Sequence, residues 1–147
     1  MRHALGQILS FRDLDAWKAA IELVLVAYDV AHQLPTTERF ELAAQMRRAA
    51  VSIPSNIAEG QATGPGGRYR HHVRIALGSL AELETQLELA LRLKWISAEA
   101  HDNLAGHVAR TGKLLHGLSR SLWRRRAASY LTLASFGLAG AAALLFS

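Results

Sequence analysis

Apolar side chains recur along this chain every three or four positions. The first stripe is Leu14, Trp17, Ile21, Val24 and Tyr28, the spacing of one face of an α-helix. Asp13 before it is a good N-cap. Pro35 ends it, because the residue before a proline is pushed out of the helical region. Thr36 and Thr37 can cap a second helix, with Glu38 in its first turn. Its stripe is Ala43, Met46, Ala50, Ile53 and Ile57, and Pro54 falls inside it. The period resumes at Ile57, so a kink near Val51 to Pro54 is expected rather than an end, with Gly60 as the stop.

Thr63-Gly64-Pro65-Gly66-Gly67 is the clearest linker. A third helix is expected from about Arg68 to Leu93, on a seam of Val73, Ala76, Leu80, Leu83, Leu87 and Ala90. Glu88 and Arg92 stand four apart in the favourable order. Ser97 caps a fourth helix whose stripe is Leu104, Val108, Thr111, Leu115, Leu118 and Leu122.

Four amphipathic segments on short connections, with no strand-like alternation and no internal repeat, predict an all-α fold. The architecture is an antiparallel up-and-down four-helix bundle with a C-terminal apolar helical extension. The divisions are an N-terminal extension at 1–10, the bundle at 11–123, and a basic boundary with an apolar tail at 124–147. A chain of 147 residues suits one such domain.

The chain has no cysteine, which excludes disulfides, thiolate metal sites and a cysteine nucleophile. The formal net charge is +5. Without Arg120, Arg124, Arg125 and Arg126 the 17 basic residues become 13, against 12 acids. The body is therefore nearly balanced, and a nucleic-acid site on it must be a local patch. Residues 127–147 carry no charge and follow three arginines. By length this tail qualifies as a membrane span, with the arginines holding its start in the cytoplasm. Its many Ala, Ser and Gly residues weaken that case. A fifth packed helix, or an extension without a role, are the alternatives. The expected location is cytoplasmic, with or without an anchor in the inner membrane.

Two stretches carry family information: Gln45 to Gly60, reading QMRRAAVSIPSNIAEG, and Ile75 to Leu87, reading IALGSLAELETQL. Together they resemble the bacterial four-helix-bundle proteins of 23S rRNA intervening sequences. That family is similar to the accessory variability determinants of diversity-generating retroelements. The resemblance runs from about Phe11 to Leu118, and Phe11-Arg12-Asp13-Leu14 with Trp17 match its usual opening. It implies a homo-oligomer, typically a pentameric barrel of bundles, and no known catalysis. For the retroelement relatives it implies binding to a reverse transcriptase and its RNA through basic surface. Arg68-Tyr69-Arg70-His71-His72-Val73-Arg74 departs from the family, which often carries acidic and aromatic residues there. The tail lies outside the resemblance.

Within the signature, Ser52, Pro54, Asn56, Glu59 and Gly60 read as a structural motif. Polar groups beside a proline can satisfy the carbonyls it frees, and Glu59 can alternatively meet an arginine of a neighbouring copy. A lone carboxylate lacks the partner that acid–base catalysis needs. Arg47, Arg48, Arg68, Arg70 and Arg74 can form a basic patch near the loop between the second and third helices, with Tyr69 stacking on a base. The alternative is a solvated surface with ordinary charge pairs. His3, His32, His71, His72, His101, His107 and His116 lack metal-ligand spacing, so neither metal nor cofactor is expected. Glu82, Glu84 and Glu88 find no matching carboxylate–histidine helix and read as a solvated face. Gly64-Pro65-Gly66-Gly67 lacks the Lys-Ser/Thr ending of a phosphate loop. The sequence thus points to a non-enzymatic scaffold that binds RNA or a nucleic-acid enzyme. The alternative is a membrane-anchored scaffold touching the bilayer through 127–147.

Overall fold

The computed structural model describes residues 10–64 and 66–145, and within 125–145 it describes the backbone alone. Residues 1–9, most of the N-terminal extension, and Pro65 of the linker lie outside the described residues.

Four helices make the bundle: α1 (Asp15–Gln33), α2 (Leu42–Ala62), α3 (Gly67–Arg92) and α4 (Ala98–Leu145). Each packs on its two neighbours around a square, α1 on α2, α2 on α3, α3 on α4 and α4 on α1. Residues that meet across α2 and α3 fall on one helix as they rise on the other: Gly60 with Tyr69, Asn56 with His72, Ser52 with Ser79. The α3–α4 pair runs the same way, through Arg70 with Trp123, Leu80 with Gly112 and Glu88 with His101. Neighbours are antiparallel, as short connections require. No strand is found among the described residues. The fold is the expected four-helix bundle.

The core follows the predicted stripes of α2, α3 and α4 closely. Met46, Ile53, Ile57, Val73, Leu83, Leu87, Leu104 and Leu115 are fully buried. Ser97 caps α4 by accepting a hydrogen bond from the Ala100 N–H at 3.1 Å. At the end of α3, Lys94 takes a left-handed backbone with φ 60°. It closes the helix with bonds from Lys94 N–H to the Leu91 carbonyl and Trp95 N–H to the Ala90 carbonyl.

The first half of the chain departs from expectation at its helix starts. Asp13 does not cap α1. Phe11–Asp13 is a short 3-10 turn capped by Ser10, and Asp13 accepts back from the Ser10 N–H at 2.9 Å in a reciprocal capping box. Thr36–Phe40 is likewise a 3-10 segment, so α2 begins at Leu42 rather than at the threonines. The buried face of α1 is also rotated from the predicted one. It consists of Ala16, Ala19, Ala20, Leu23, Ala27, Val30 and Ala31; of the predicted stripe, Leu14 is buried just before the helix, Trp17 and Val24 are partly buried against the core, and Ile21 and Tyr28 are exposed. Five of these seven are alanines, and side chains that small let α1 lie close to its neighbours. The large residues Ile21 and Tyr28 fall on the flank.

Two elements run further than expected. α2 continues through Pro54 and past Gly60 to Ala62, so Gly60 is interior rather than a stop. α4 is 48 residues long and continues past Trp123, which lies level with the start of α3. The stretch 124–145 carries its backbone about 33 Å further.

Candidate polyanion-binding end of the bundle

The up-and-down path sets the start of α1, the end of α2, the start of α3 and the Trp123 region of α4 at one end. Arg68, Arg74, Arg120 and Arg124 are exposed there, and Arg70 is partly covered. The Arg70 guanidinium lies 5.1 Å from the centre of the Trp123 ring, which fixes the two helices' basic residues side by side. Arg12 and Lys18 of the first helical turns add to this end. Its acids are fewer, and two are occupied locally: Asp13 by the Ser10 N–H and Asp15 by Lys18 at 3.9 Å. Glu59 is the third, 3.5 Å from His72 Nδ1. The opposite end carries Glu38, Glu41, Glu84, Glu88, Glu99 and Asp102, but also Arg39, Arg47, Arg48, Arg92 and Lys94, and is close to balanced. The excess of positive charge is thus concentrated at the first end.

The predicted basic patch is only partly assembled. Arg68, Arg70 and Arg74 stand together at the start of α3. Arg47 and Arg48 do not join them, because α2 runs from Leu42 toward the loop and both residues sit near its beginning. That separates them from Ala62 by about 20 Å along the axis. Arg47 also donates to the Arg39 carbonyl at 2.9 Å, an intramolecular duty at the far end.

Tyr69 is corrected as well. Its side chain is 7% exposed and packs against Gly60, so it is a core residue and not a stacking surface. Aromatic surface at this end comes instead from Trp123, 55% exposed. Sequence periodicity could have found it. Trp123 follows Leu122, the last core residue of α4, and so falls just off the buried stripe between Arg120 and Arg124.

The signature residues form a polar seam between α2 and α3. Asn56 Nδ2 donates to the Ser52 carbonyl at 2.9 Å and to Ser52 Oγ at 3.1 Å. Ser79 Oγ donates to Ser52 Oγ at 2.8 Å. Asn56 Oδ1 is left to accept from His72 Nδ1 at 3.0 Å, which places the ring hydrogen on Nδ1. Pro54 frees the Ala50 carbonyl by lacking an N–H. The observed side-chain bonds go to Val51 and Ser52 instead, from Ser55 Oγ and Asn56 Nδ2. The motif therefore does more to stitch α2 to α3 than to repair the proline site. It also holds α3 in the register that presents Arg68, Arg70 and Arg74.

Two of the three acidic residues of α3, Glu82 and Glu88, are tied up within the chain. Glu88 pairs with Arg92 at 2.6 Å and lies 3.6 Å from His101, while Glu82 accepts from Gln86 at 3.1 Å. An open cleft of about 730 Å³ runs between α3 and α4 beside Glu84, Glu88, Arg92 and His101. Among the described residues no three His, Asp or Glu side chains are grouped to hold a metal ion. Nor is any helix among them long and apolar enough to cross a membrane. The side chains of the tail are not among those described.

None of the curated proteins matches this chain. One solved structure similar to it is a protein of unknown function from the S23 ribosomal protein family of Bacteroides thetaiotaomicron. That structure has 23% sequence identity and a TM-score of 0.66, covering 71% of this chain and 95% of the other. Likeness at that identity speaks to the fold alone. The 23S rRNA-intervening sequence protein family matches residues 12–117, which take in α1, α2, α3 and most of the part of α4 that packs in the bundle. Over that span the signature and the antiparallel bundle coincide, and the chain belongs to the 23S rRNA-intervening sequence protein family.

Proposed function

We propose that this protein is a non-enzymatic, self-associating scaffold that holds RNA, alone or together with a nucleic-acid enzyme such as a reverse transcriptase, at the basic end of its bundle. The observation that carries this reading is the convergence of Arg68, Arg70 and Arg74 from α3 with Arg120 and Arg124 from α4, opposite an end whose charges nearly balance. Phosphates drawn to one end and not to the other give the complex a direction. Self-association is supported by an uncovered apolar stripe on α1. Ile21, Leu25 and Tyr28 stand three and four apart and are 36%, 63% and 37% exposed, and Val51 of the adjacent α2 is 41% exposed. A second copy of the chain covers that stripe, and the resemblance to pentameric barrels sets five as the expected number of subunits.

The test is light scattering after size exclusion on the full chain, with RNA titrated at low and high salt. Five phosphate contacts should weaken binding to a single strand by roughly a hundredfold between about 50 and 200 mM salt. Replacing Arg68, Arg70 and Arg74 together with glutamine should remove most of the affinity and flatten the salt dependence, while Arg48→Gln should change little. A monomer that ignores RNA at low salt would end this reading.

A second reading rests on the tail. The backbone of α4 is unbroken to Leu145, and 127–147 lacks any charge directly after Arg124, Arg125 and Arg126. In this reading the tail is a helical membrane anchor and the basic end faces anionic headgroups. Flotation with anionic vesicles should carry the full chain upward and leave a chain ending at Arg126 behind. Equal behaviour of the two chains would remove the anchor.

A further inference from the structure

We infer that the Arg70–Trp123 pair is a stacking platform for an unpaired base, so that the basic end takes single-stranded rather than duplex RNA. This rests on the reading of that end as the RNA site, and it specifies which form of RNA fits. Trp17 and Trp95 are partly buried against the core, whereas Trp123 is 55% exposed. Its position is not loose. Leu122 beside it is 9% exposed and packed in the core, which fixes the turn of α4 that carries the indole. The Arg70 guanidinium, 5.1 Å from the ring centre, sets a cation beside a base that stacks on the indole. Arg74 lies one helical turn beyond Arg70, and Arg120 and Arg124 flank Trp123 in sequence. Phosphates on either side of a stacked nucleotide therefore meet positive charge.

Charge alone does not select single strands, since a duplex offers a denser row of phosphates. A π surface does, because the bases of a duplex already cover one another's faces and those of a single strand do not. The arrangement predicts little sequence preference, since every base has such a face.

The full chain is titrated with three probes: a single-stranded RNA, the same RNA annealed into a blunt duplex, and inorganic polyphosphate, which has charge but no base. Trp123→Ala should weaken the single strand by roughly tenfold, the share one stacked base contributes. It should leave duplex and polyphosphate binding unchanged, and Trp123→Phe should restore most of the loss. Arg74→Gln should weaken all three together. The thermal midpoint of Trp123→Ala should match the parent, since the indole is more than half exposed, and a fall would assign Trp123 a structural role instead. A Trp123→Ala variant that loses nothing, or loses all three probes equally, overturns the stacking platform while leaving the phosphate site standing. Failure of the parent chain to bind any of the three removes the underlying RNA reading as well.

Discussion

Leu23→Ala is expected to lower the unfolding free energy by about 3 kcal/mol, whereas Leu25→Ala, two positions along the same helix, is expected to change it by less than about 0.5 kcal/mol in dilute solution. Leu23 is completely buried and sits on a face otherwise built from Ala16, Ala19, Ala20, Ala27, Val30 and Ala31. Alanines on either side have no spare atoms with which to fill the hole a truncated leucine leaves. The cavity term therefore adds fully to the lost transfer energy. Leu25 is 63% exposed and fills no such space in one chain. Chemical denaturation of both variants at low protein concentration separates the cases. Equal losses would mean that α1 is rotated from the orientation described. A loss at Leu25 that grows with protein concentration would instead locate the contact between copies on that stripe.

The same pair of leucines shows where the sequence misled. On α2, α3 and α4 the large apolar residues are themselves the seam, so their spacing gives the core directly. On α1 the seam is mostly alanine, which a search for bulky residues passes over, and the bulky residues at Trp17, Ile21 and Tyr28 mark the flank. Both kinds of residue obey the same helical period. Only packing decides which of two overlapping stripes faces inward, and close helix approach favours the small one. The two capping errors have a related cause. Asp13, Thr36 and Thr37 are good caps by type, but Asp13 serves the capping box of a short 3-10 turn, and Thr36 and Thr37 lie inside another such turn that makes no side-chain cap bond.

The candidate site was legible in part. Arg68, Arg70 and Arg74 share the start of one helix, so their proximity follows from sequence spacing. Arg47 and Arg48 belong to the helix that leads into the loop, yet they stand at its start, and the antiparallel path of α2 puts them at the other end. Arg120 and Arg124 were visible as a charge run before the tail. Only the fold, through Arg70 over Trp123, shows that they share an end with α3. Tyr69 is taken from the surface for a reason no charge count contains: Gly60 opens a recess that holds its ring.

That recess gives the second large effect. A Cβ on residue 60 would lie 2.6 Å from Tyr69 Cδ2 and 3.0 Å from His72 Cβ, far inside ordinary contact. The atoms in the way belong to a buried ring and to the stem of the histidine that holds Asn56, so neither can swing clear. Gly60→Ala should therefore destabilise the protein by roughly 2 kcal/mol, after the gain of up to about 1 kcal/mol that alanine brings to a helix interior. For a chain of this size the melting temperature should fall by about 6 °C. Gly78→Ala is the matched control. Residue 78 also lies in a helix, but a Cβ there meets nothing within 4 Å, so stability should rise by about 0.5 to 1 kcal/mol. Tyr69→Ala in the Gly60→Ala background removes the ring that the new methyl strikes. The double variant should then lose less than the sum of the two single variants, the mark of residues in direct contact. Additive losses, or a Gly60→Ala protein as stable as the parent, would show that α2 and α3 stand further apart than described. The arginines at the start of α3 would then not be held by that contact.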